Sequence, residues 1–261
     1  MTVRQWAAGA MAAGLMASLG ACSDDATSAS KSDSALPPTK VAALSQAGFG
    51  EAVTEAQQQA KSVHIESTIQ AAGQTVTMSG DVTGVSDVKT LAMSMAVDVM
   101  DKNLEVRLVD QVLYVRGLGV GTDKPWVKLD LTDSGNPLSS FLDSAGPQSF
   151  LSYLKAVSKI RDQGTEVVDG VETRHYTVTI NTAKALAASP AMKGHGGFSK
   201  LGLPAKLKAD AWLNADNLPV KMAVKLGDVA SFEAHFSDYG KRVVVKAPPA
   251  RSVGTFGSIP G

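Results

Sequence analysis

Few residues in this chain have side chains suited to covalent chemistry. The 261 residues include one cysteine, Cys22, and four histidines, His64, His175, His195 and His235. A single cysteine can form neither an intramolecular disulfide nor a multi-thiolate metal site. No two histidines lie four residues apart, so the sequence lacks the helical histidine pair that binds zinc. We therefore expect no metal site.

Sequence patterns for hydrolysis and nucleotide binding are also missing. Residues 197–201, Gly-Phe-Ser-Lys-Leu, come near a serine nucleophile elbow but lack its final glycine. No Walker or dinucleotide-binding glycine pattern follows a predicted strand. His64, His175 and His235 fall within strand patterns, on polar faces. We expect no catalytic residue and no cofactor; a hydrolase would need a serine or aspartate beside a strand histidine in a cleft.

The composition favours a binding protein over an enzyme. Lys plus Arg and Asp plus Glu each number 25, which gives a formal net charge of zero. These totals imply no polybasic face, so we expect no nucleic-acid partner. Hydrophobic residues make up 44% of the chain, enough to bury a sizeable core.

The N-terminal segment has the pattern of an export signal. Arg4 precedes an uncharged apolar stretch, residues 6–19, that is shorter than the roughly 20 residues a membrane-spanning helix needs. Residues 19–22, Leu-Gly-Ala-Cys, then resemble a bacterial lipobox, in which the cysteine thiol receives a diacylglyceryl group. We expect residues 1–21 to be a lipoprotein signal peptide and Cys22 to be lipidated. The alternatives are an ordinary signal peptide with an incidental cysteine and a cytosolic hydrophobic N-terminus.

A polar segment separates this signal from the rest of the chain. Residues 22–39 are rich in Ser, Ala and Asp and lack apolar periodicity, which predicts a lipidated flexible tether. Two acyl chains on one anchor bind a bilayer stably. We expect residues 40–261 to form a single lipid-binding domain outside the cytoplasm, held at the outer leaflet of the cytoplasmic membrane.

The body of the chain predicts helices and many strands. Residues 40–61 predict an amphipathic helix, and shorter helices are predicted at 138–142, 147–157 and 182–189. About eleven strands follow from alternating apolar and polar residues between Gly, Asp or Asn turns. They lie at about 63–70, 75–82, 90–99, 104–108, 112–115, 126–129, 160–168, 171–180, 205–213, 218–226 and 229–238.

Two C-terminal regions carry further expectations. Residues 190–204 predict a long mobile loop, because they hold four glycines between two prolines. A last short strand is predicted at 241–246, followed by an irregular tail from Pro248.

Grouped strands of this kind predict an α+β fold rather than a parallel βαβ fold. We expect a large antiparallel sheet, curved into a half-barrel with helices packed on its concave side. Such a sheet encloses either packed side chains or an apolar ligand cavity.

One side of the first strands is strongly apolar, and its residues are our candidates for a cavity lining. Methionines there suit acyl chains of varied shape, although plain core packing also explains each of them. Small residues on the opposite side leave open which face is concave. The candidates are Val63, Ile65, Val76, Met78, Leu91, Met93, Met95, Val97, Val106 and Leu108.

Aromatic and basic residues give two weaker candidate surfaces. Trp126 and Trp212 are flanked by charge, as in aromatics that contact lipid headgroups, but half-buried strand aromatics have the same pattern. Four lysines alternate along neighbouring strands, as a solvated face or as a cationic rim for anionic headgroups. These lysines are Lys206, Lys208, Lys221 and Lys225.

Several segments together resemble a known family. Beside the lipobox and tether, they are SVHIESTIQAAGQTVTMSGDV (62–82), VRLVDQVLYVRG (106–117), KPWVKLDL (124–131), DGVETRHYTVTI (169–180) and ADAWLNADNLPVKMAV (209–224). The pattern resembles the actinobacterial LppX/LprG lipoproteins, whose fold is similar to that of the periplasmic carrier LolA.

The resemblance implies a half-barrel closed by helices over a hydrophobic cavity, with no catalytic residues. It implies that the ligand is an acylated lipid or glycolipid, moved across the cell envelope, with a membrane transporter as a further partner. The alternative is an envelope interaction or sensory module that has the same fold but a filled core.

Overall fold

A computed structural model describes residues 41–71, 73–87, 89–119, 123–132, 156–188, 204–227 and 230–255. These ranges contain helix α1 (Phe49–Ala60), helix α2 (Thr182–Ala188), a short 3-10 helix (Ala250–Ser252) and twelve strands. The strands are β1 (Ser62–Ala71), β2 (Gln74–Thr83), β3 (Ala92–Val99), β4 (Lys102–Val109), β5 (Val112–Arg116), β6 (Trp126–Asp130), β7 (Val157–Val168), β8 (Val171–Asn181), β9 (Lys206–Leu213), β10 (Pro219–Leu226), β11 (Ala230–Ser237) and β12 (Val253–Thr255).

All twelve described strands belong to one open sheet. Their order is β12-β6-β5-β4-β3-β2-β1-β11-β10-β9-β8-β7, so β12 and β7 are its edges. Every neighbouring pair is antiparallel except β12 and β6, which are parallel. The predicted α+β class with a large antiparallel sheet is confirmed, and the eleven predicted strands all appear.

Tight turns explain why the strands follow one another so closely. Asp110-Gln111 and Asp169-Gly170 each connect two paired strands, and all four residues have positive φ angles between 51° and 78°. Two central residues with positive φ twist a hairpin in the direction that the strands require. The hairpin predicted at Asp169-Gly170 is therefore present.

Helix α1 is shorter than the predicted helix over 40–61, which was wrong at its N-terminus. Residues before Phe49 are held against the sheet instead, because the Leu44 N–H donates to the Tyr176 hydroxyl at 2.9 Å. Arg174 Nη1 donates to the carbonyl of Val41, also at 2.9 Å, and Val41 is only 2% exposed. These tertiary bonds replace helical ones.

The C-terminal prediction was also wrong in detail. Residues 241–249, here called the crossing segment, form no strand; the last strand is β12. The crossing segment passes over one face of the sheet, where the Lys241 carbonyl accepts from Ser62 Oγ at 2.6 Å. The Lys246 carbonyl accepts from Arg107 Nη1 at 3.2 Å. Its carbonyls thus bind side chains rather than a neighbouring strand.

Other predicted segments fall partly or wholly beyond the described residues. The signal peptide 1–21, Cys22 and the tether, the helix at 138–142 and residues 190–203 of the predicted loop lie outside them. So do residues 147–155 of a predicted helix, whose last residue, Val157, instead begins β7. The helix predicted at 182–189 is confirmed as α2. Among the described residues, no helix is both long and apolar enough to cross a bilayer.

Helix α1 packs on one side of the sheet and forms the larger core. Phe49 and Val53 of α1 pack against Tyr176, Val178 and strand β9. The rings of Phe49 and Tyr176 meet edge to face, with centroids 5.2 Å apart. A second core, made of Leu91, Leu108 and Leu131, lies on the same side of the sheet near β3–β6.

Candidate functional site

The strand register places the ten predicted cavity residues on one side of the sheet. Directly opposed residues share a face, and Ile65 opposes Gly80, which in turn opposes Met95, which opposes Val106. Alternation along β1–β4 puts the other strand residues of the set on the same side. Leu91 precedes β3 and packs into the second core with Leu108. We call this side the apolar face, and α1 covers part of it.

Burial divides the apolar face into two parts. Beneath α1 the central side chains of the core are fully buried, with Tyr176 only 1% exposed, and half-buried residues such as Ile180 and Met222 surround them. On β1–β4 most of the predicted set is only half-buried, although Leu91 and Leu108 are fully buried. The half-buried members, here called the open apolar face, are Val63, Ile65, Val76, Met78, Met93, Met95, Val97 and Val106.

Gly80 leaves the space that the Met95 side chain occupies. A Cβ atom at Gly80 would lie 2.8 Å from Met95 Sδ and 2.1 Å from the carbonyl oxygen of Ser94. Both distances are far below van der Waals contact, so no other residue fits there without moving the backbone. A long, flexible side chain thus lies flat on the open apolar face.

A cleft of about 860 Å³ lies between α1 and β7, and the sequence analysis missed it. None of the ten predicted residues lines it. The described residues that line it are Gln46, Ala47, Phe49, Gly50, Glu51, Thr54, Glu55, Gln58, Val157 and Ile160. The available signal was the helical spacing of Gly50, Thr54 and Gln58, which places three lining residues on one side of α1.

The two walls of this cleft differ in polarity. Phe49, Val157 and Ile160 supply apolar surface, whereas α1 and the residues before it supply amide and carboxylate groups. The Gln46 amide is held in place, since its Nε2 donates to the Ser158 carbonyl at 3.3 Å. Among the described lining residues the charged ones are Glu51 and Glu55, both acidic. Such walls suit an amphipathic molecule with an uncharged polar part.

Two solved structures share this architecture. Lipoprotein LppX of Mycobacterium tuberculosis superposes with a TM-score of 0.54 at 18% identity, over 77% of this chain and 98% of LppX. LprF of Mycobacterium bovis superposes with a TM-score of 0.53 at 16% identity, over 78% of this chain and 96% of LprF. The chain has the fold of LppX and LprF.

This likeness confirms, at the level of the fold, the resemblance expected from the sequence. The match extends over nearly the full length of both solved chains. No family model matches the sequence, and no curated protein matches it either. The LppX fold is thus recognised through structure, at an identity too low to transfer individual residues.

In this LppX fold, an ion pair holds the segment that leads into α1. Arg174 donates from Nε and Nη2 to the Asp162 carboxylate at 2.6–3.0 Å. These hydrogen bonds lower the pKa of Asp162 and raise that of Arg174. Because Arg174 also donates to Val41, it ties β7, β8 and the entering chain together.

The other side of the sheet, here called the polar face, carries the three strand histidines. His64 Nδ1 lies 2.7 Å from Asp81 Oδ1, and His175 Nε2 lies 3.0 Å from Asp210 Oδ1. His235 lies between two carboxylates, with Asp169 Oδ2 at 2.5 Å from Nδ1. The hydrogen bond with Asp169 raises the pKa of His235.

The three strand histidines thus lie on the polar face, as predicted, and are half-buried there; His195 lies outside the described residues. Within the described ranges, no group of three or more His, Cys, Asp or Glu residues is arranged to hold a metal ion.

The two tryptophans of interest are structural parts of the polar face. Trp126 is 5% exposed, and the guanidinium groups of Arg107 and Arg116 lie 4.8 and 5.5 Å from its ring centre. Glu105 pairs with both arginines. Trp212 stacks on the His175 ring at 4.3 Å. These contacts favour the interpretation of both residues as strand aromatics.

Proposed function

We propose that this chain is an extracytoplasmic lipoprotein that binds an acylated lipid or lipoglycan on the apolar face and helps to move it across the cell envelope. The observation that carries the proposal is the division of that face. One part has a fully buried core under α1, while the open apolar face remains half-buried. One of the two proteins with this fold, LppX, is described as a lipoprotein, which supports the same setting.

Binding of this kind is passive and needs no catalytic group or cofactor. Transfer of apolar surface from water contributes roughly 25 cal/mol per Å², so acyl chains on the open apolar face supply the driving force. Met78, Met93 and Met95 supply flexible surface that adapts to chains of different shape.

The α1–β7 cleft suits the polar part of such a ligand. Its volume of about 860 Å³ falls within the range of small-molecule sites. Glu51 and Glu55 disfavour a phosphate group, whereas Gln46 and Gln58 can hydrogen-bond hydroxyl groups. We therefore propose a sugar or glycerol head that carries no negative charge within the cleft.

The membrane anchor is a separate part of the proposal and rests on the sequence. Cleavage after residue 21 leaves Cys22 as the lipidated N-terminus, and residues 22–39 as the tether of the domain at 40–261. Mass spectrometry of the N-terminal peptide from membranes is expected to show a diacylglyceryl group on Cys22. An unmodified Cys22 would contradict this part alone.

The first test is native mass spectrometry of the segment Pro38–Gly261, purified from a lipid-rich bacterial host. Residues from Pro38 onward form one compact unit, so this segment is a suitable test protein. We expect added mass that organic extraction releases as acylated lipid. Protein that is free of lipid, and that also ignores added glycolipids and phospholipids, would favour the filled interaction module instead.

A matched pair of variants locates the site. Val97→Glu introduces a charge on the open apolar face, and Ala96→Glu introduces the same charge on the polar face of the same strand. We expect Val97→Glu to abolish lipid retention and Ala96→Glu to leave it unchanged. Equal retention in two folded variants would contradict binding at β3. Ile160→Glu introduces a charge into the lining of the α1–β7 cleft, and we expect it to reduce lipid retention as well.

Transfer needs a further partner, and we propose a membrane transporter in that role. Crosslinking of the lipidated protein in intact membranes is the measurement that checks it. Lipid binding without any crosslinked membrane protein would restrict the function to storage or carriage.

A further inference from the structure

Five basic side chains form an exposed group at one end of the polar face, where β7 and β9 begin and β10 ends. We call this group the cationic patch. All five are exposed, and none forms an ion pair with another described residue. Its members are Lys159, Arg161, Lys206, Lys208 and Lys225.

The strand register brings these residues together on one side. Lys159 on β7 opposes Thr179, which opposes Lys208 on β9. Lys225 on β10 follows directly after the pair Val224–Ala209, which places it beside Lys208. Neighbouring strands lie about 4.8 Å apart, so the row from Lys159 to Lys225 is about 15 Å wide.

The surroundings leave this positive charge uncompensated by the described strands. The residues that oppose the patch across β8 are uncharged: Thr177, Thr179 and Asn181. Asp210, two residues after Lys208, is already bound by His175 and by the Thr177 hydroxyl at 2.8 Å. Lys221, which the sequence analysis grouped with the patch lysines, instead pairs with Glu233 at 3.0 Å.

The patch begins at the same strand end as the cleft. Val157 and Ile160 line the cleft on the apolar face, and Lys159 lies between them in sequence. A β-bulge at Ser158 turns Lys159 to the polar face while its neighbours Val157 and Ile160 remain on the apolar side. Contact of the patch with a surface would therefore bring the start of β7 to that surface, while the cleft lies on the opposite, apolar side of the same strand.

We propose that the cationic patch docks on the anionic surface of a lipid bilayer. A bilayer presents negative headgroups over a plane, and the exposed face of a sheet end offers a plane of positive groups to match it. This inference goes beyond the proposed function, because it concerns the surface that the protein approaches and holds for any cargo.

The test measures sedimentation of the segment Pro38–Gly261 with vesicles. One vesicle type contains phosphatidylglycerol and phosphatidylcholine in equal parts, and the other contains phosphatidylcholine alone. We expect binding to the anionic vesicles only. Raising the salt from about 0.05 M to about 0.5 M is expected to release the protein, because screening shortens the range of the attraction.

Two triple variants with the same change in net charge make the test specific. Lys159→Gln, Lys208→Gln and Lys225→Gln together remove the patch row, and each lysine is worth about fivefold in affinity, so about 100-fold is expected to be lost. The control triple, Lys89→Gln, Lys102→Gln and Lys128→Gln, changes exposed lysines elsewhere and is expected to bind as the parent does.

The outcomes separate this proposal from the lipid-cargo proposal. Equal weakening by both triples, or no binding to anionic vesicles at low salt, would overturn the docking surface. Patch-dependent binding to a DNA or RNA oligonucleotide, without vesicle binding, would overturn it in favour of a nucleic-acid surface. Retention of copurified lipid is measured in the same samples, so a loss of docking with intact cargo, or the reverse, identifies which proposal fails.

Discussion

The covered and open parts of the apolar face are built from the same kinds of residue but are buried to different extents. Where α1 covers the sheet, Phe49 of α1 and Tyr176 of β8 are 4% and 1% exposed, and their rings pack against each other. On β1–β3, side chains such as Ile65, Met78 and Val97 remain half-buried. The first part has the packing of a protein core. The second has apolar surface left to bury, as a binding site requires.

The largest expected effect is a loss of stability, and it tests the difference in burial between the covered and open parts. Phe49→Ala removes an aromatic side chain from the covered part, and we expect a loss of about 3–4 kcal/mol in the free energy of unfolding. Val97→Ala on the open part is expected to cost about 1 kcal/mol, because less contact is lost. Urea unfolding measures both. Similar losses in the two variants would remove the distinction between the parts.

Gly80→Ala tests how closely β2 and β3 pack within the open part. The new Cβ would lie 2.1 Å from the Ser94 carbonyl oxygen, so the backbone must shift, and we expect a loss of about 2–3 kcal/mol. Gly48→Ala is the control, since a Cβ there meets only Ser45 Oγ at 3.4 Å. Thermal unfolding checks both. If the Gly80→Ala and Gly48→Ala variants are equally stable, our description of Ser94 and Met95 packed closely against Gly80 is wrong.

Arg174→Met tests how the segment that leads into α1, residues 41–48, is held against the sheet. The substitution keeps apolar bulk but removes the pair with Asp162 and the bond to Val41, with an expected loss of about 1–2 kcal/mol. Faster hydrogen exchange at residues 41–48 should accompany it. Arg161→Met, which removes an exposed arginine on the neighbouring strand β7, is expected to change stability by less than about 0.5 kcal/mol. Equal exchange in the two variants would contradict the role of Arg174.

The smallest effect concerns the polar face and depends on pH. Asp169 raises the pKa of His235 above its unfolded value, so this pair stabilises the fold at low pH and the contribution is lost as the pH rises through the folded pKa. Asp169→Asn should therefore lower the free energy of unfolding more at about pH 5.5 than at about pH 8.5. Both groups are partly exposed, so we expect less than about 1 kcal/mol. A larger loss at the higher pH would contradict the sign.

Most of the sheet was predictable because its signals are local. Alternation specified which residues of β1–β4 share a face, and Asp169-Gly170 indicated its hairpin directly. The ten candidate residues therefore fell on one side as predicted. Their role in binding a ligand stays a prediction.

The missed features depend on contacts between distant segments. β12 is only three residues long and pairs with β6, far earlier in the chain. Helix α1 begins late because Tyr176 and Arg174 hold residues 41–44. The cleft exists only where α1 lies beside β7, and no local pattern in either segment indicates that they meet.

The crossing segment links two strands that are not neighbours in the sheet. Its Lys241 carbonyl accepts from Ser62 on β1, and its Lys246 carbonyl accepts from Arg107 on β4, three strand positions away. These bonds connect β1 to β4 on the polar face without passing through the backbone hydrogen bonds of β2 and β3. The segment is therefore a second connection, bonded through side chains, behind the strands that carry the open apolar face.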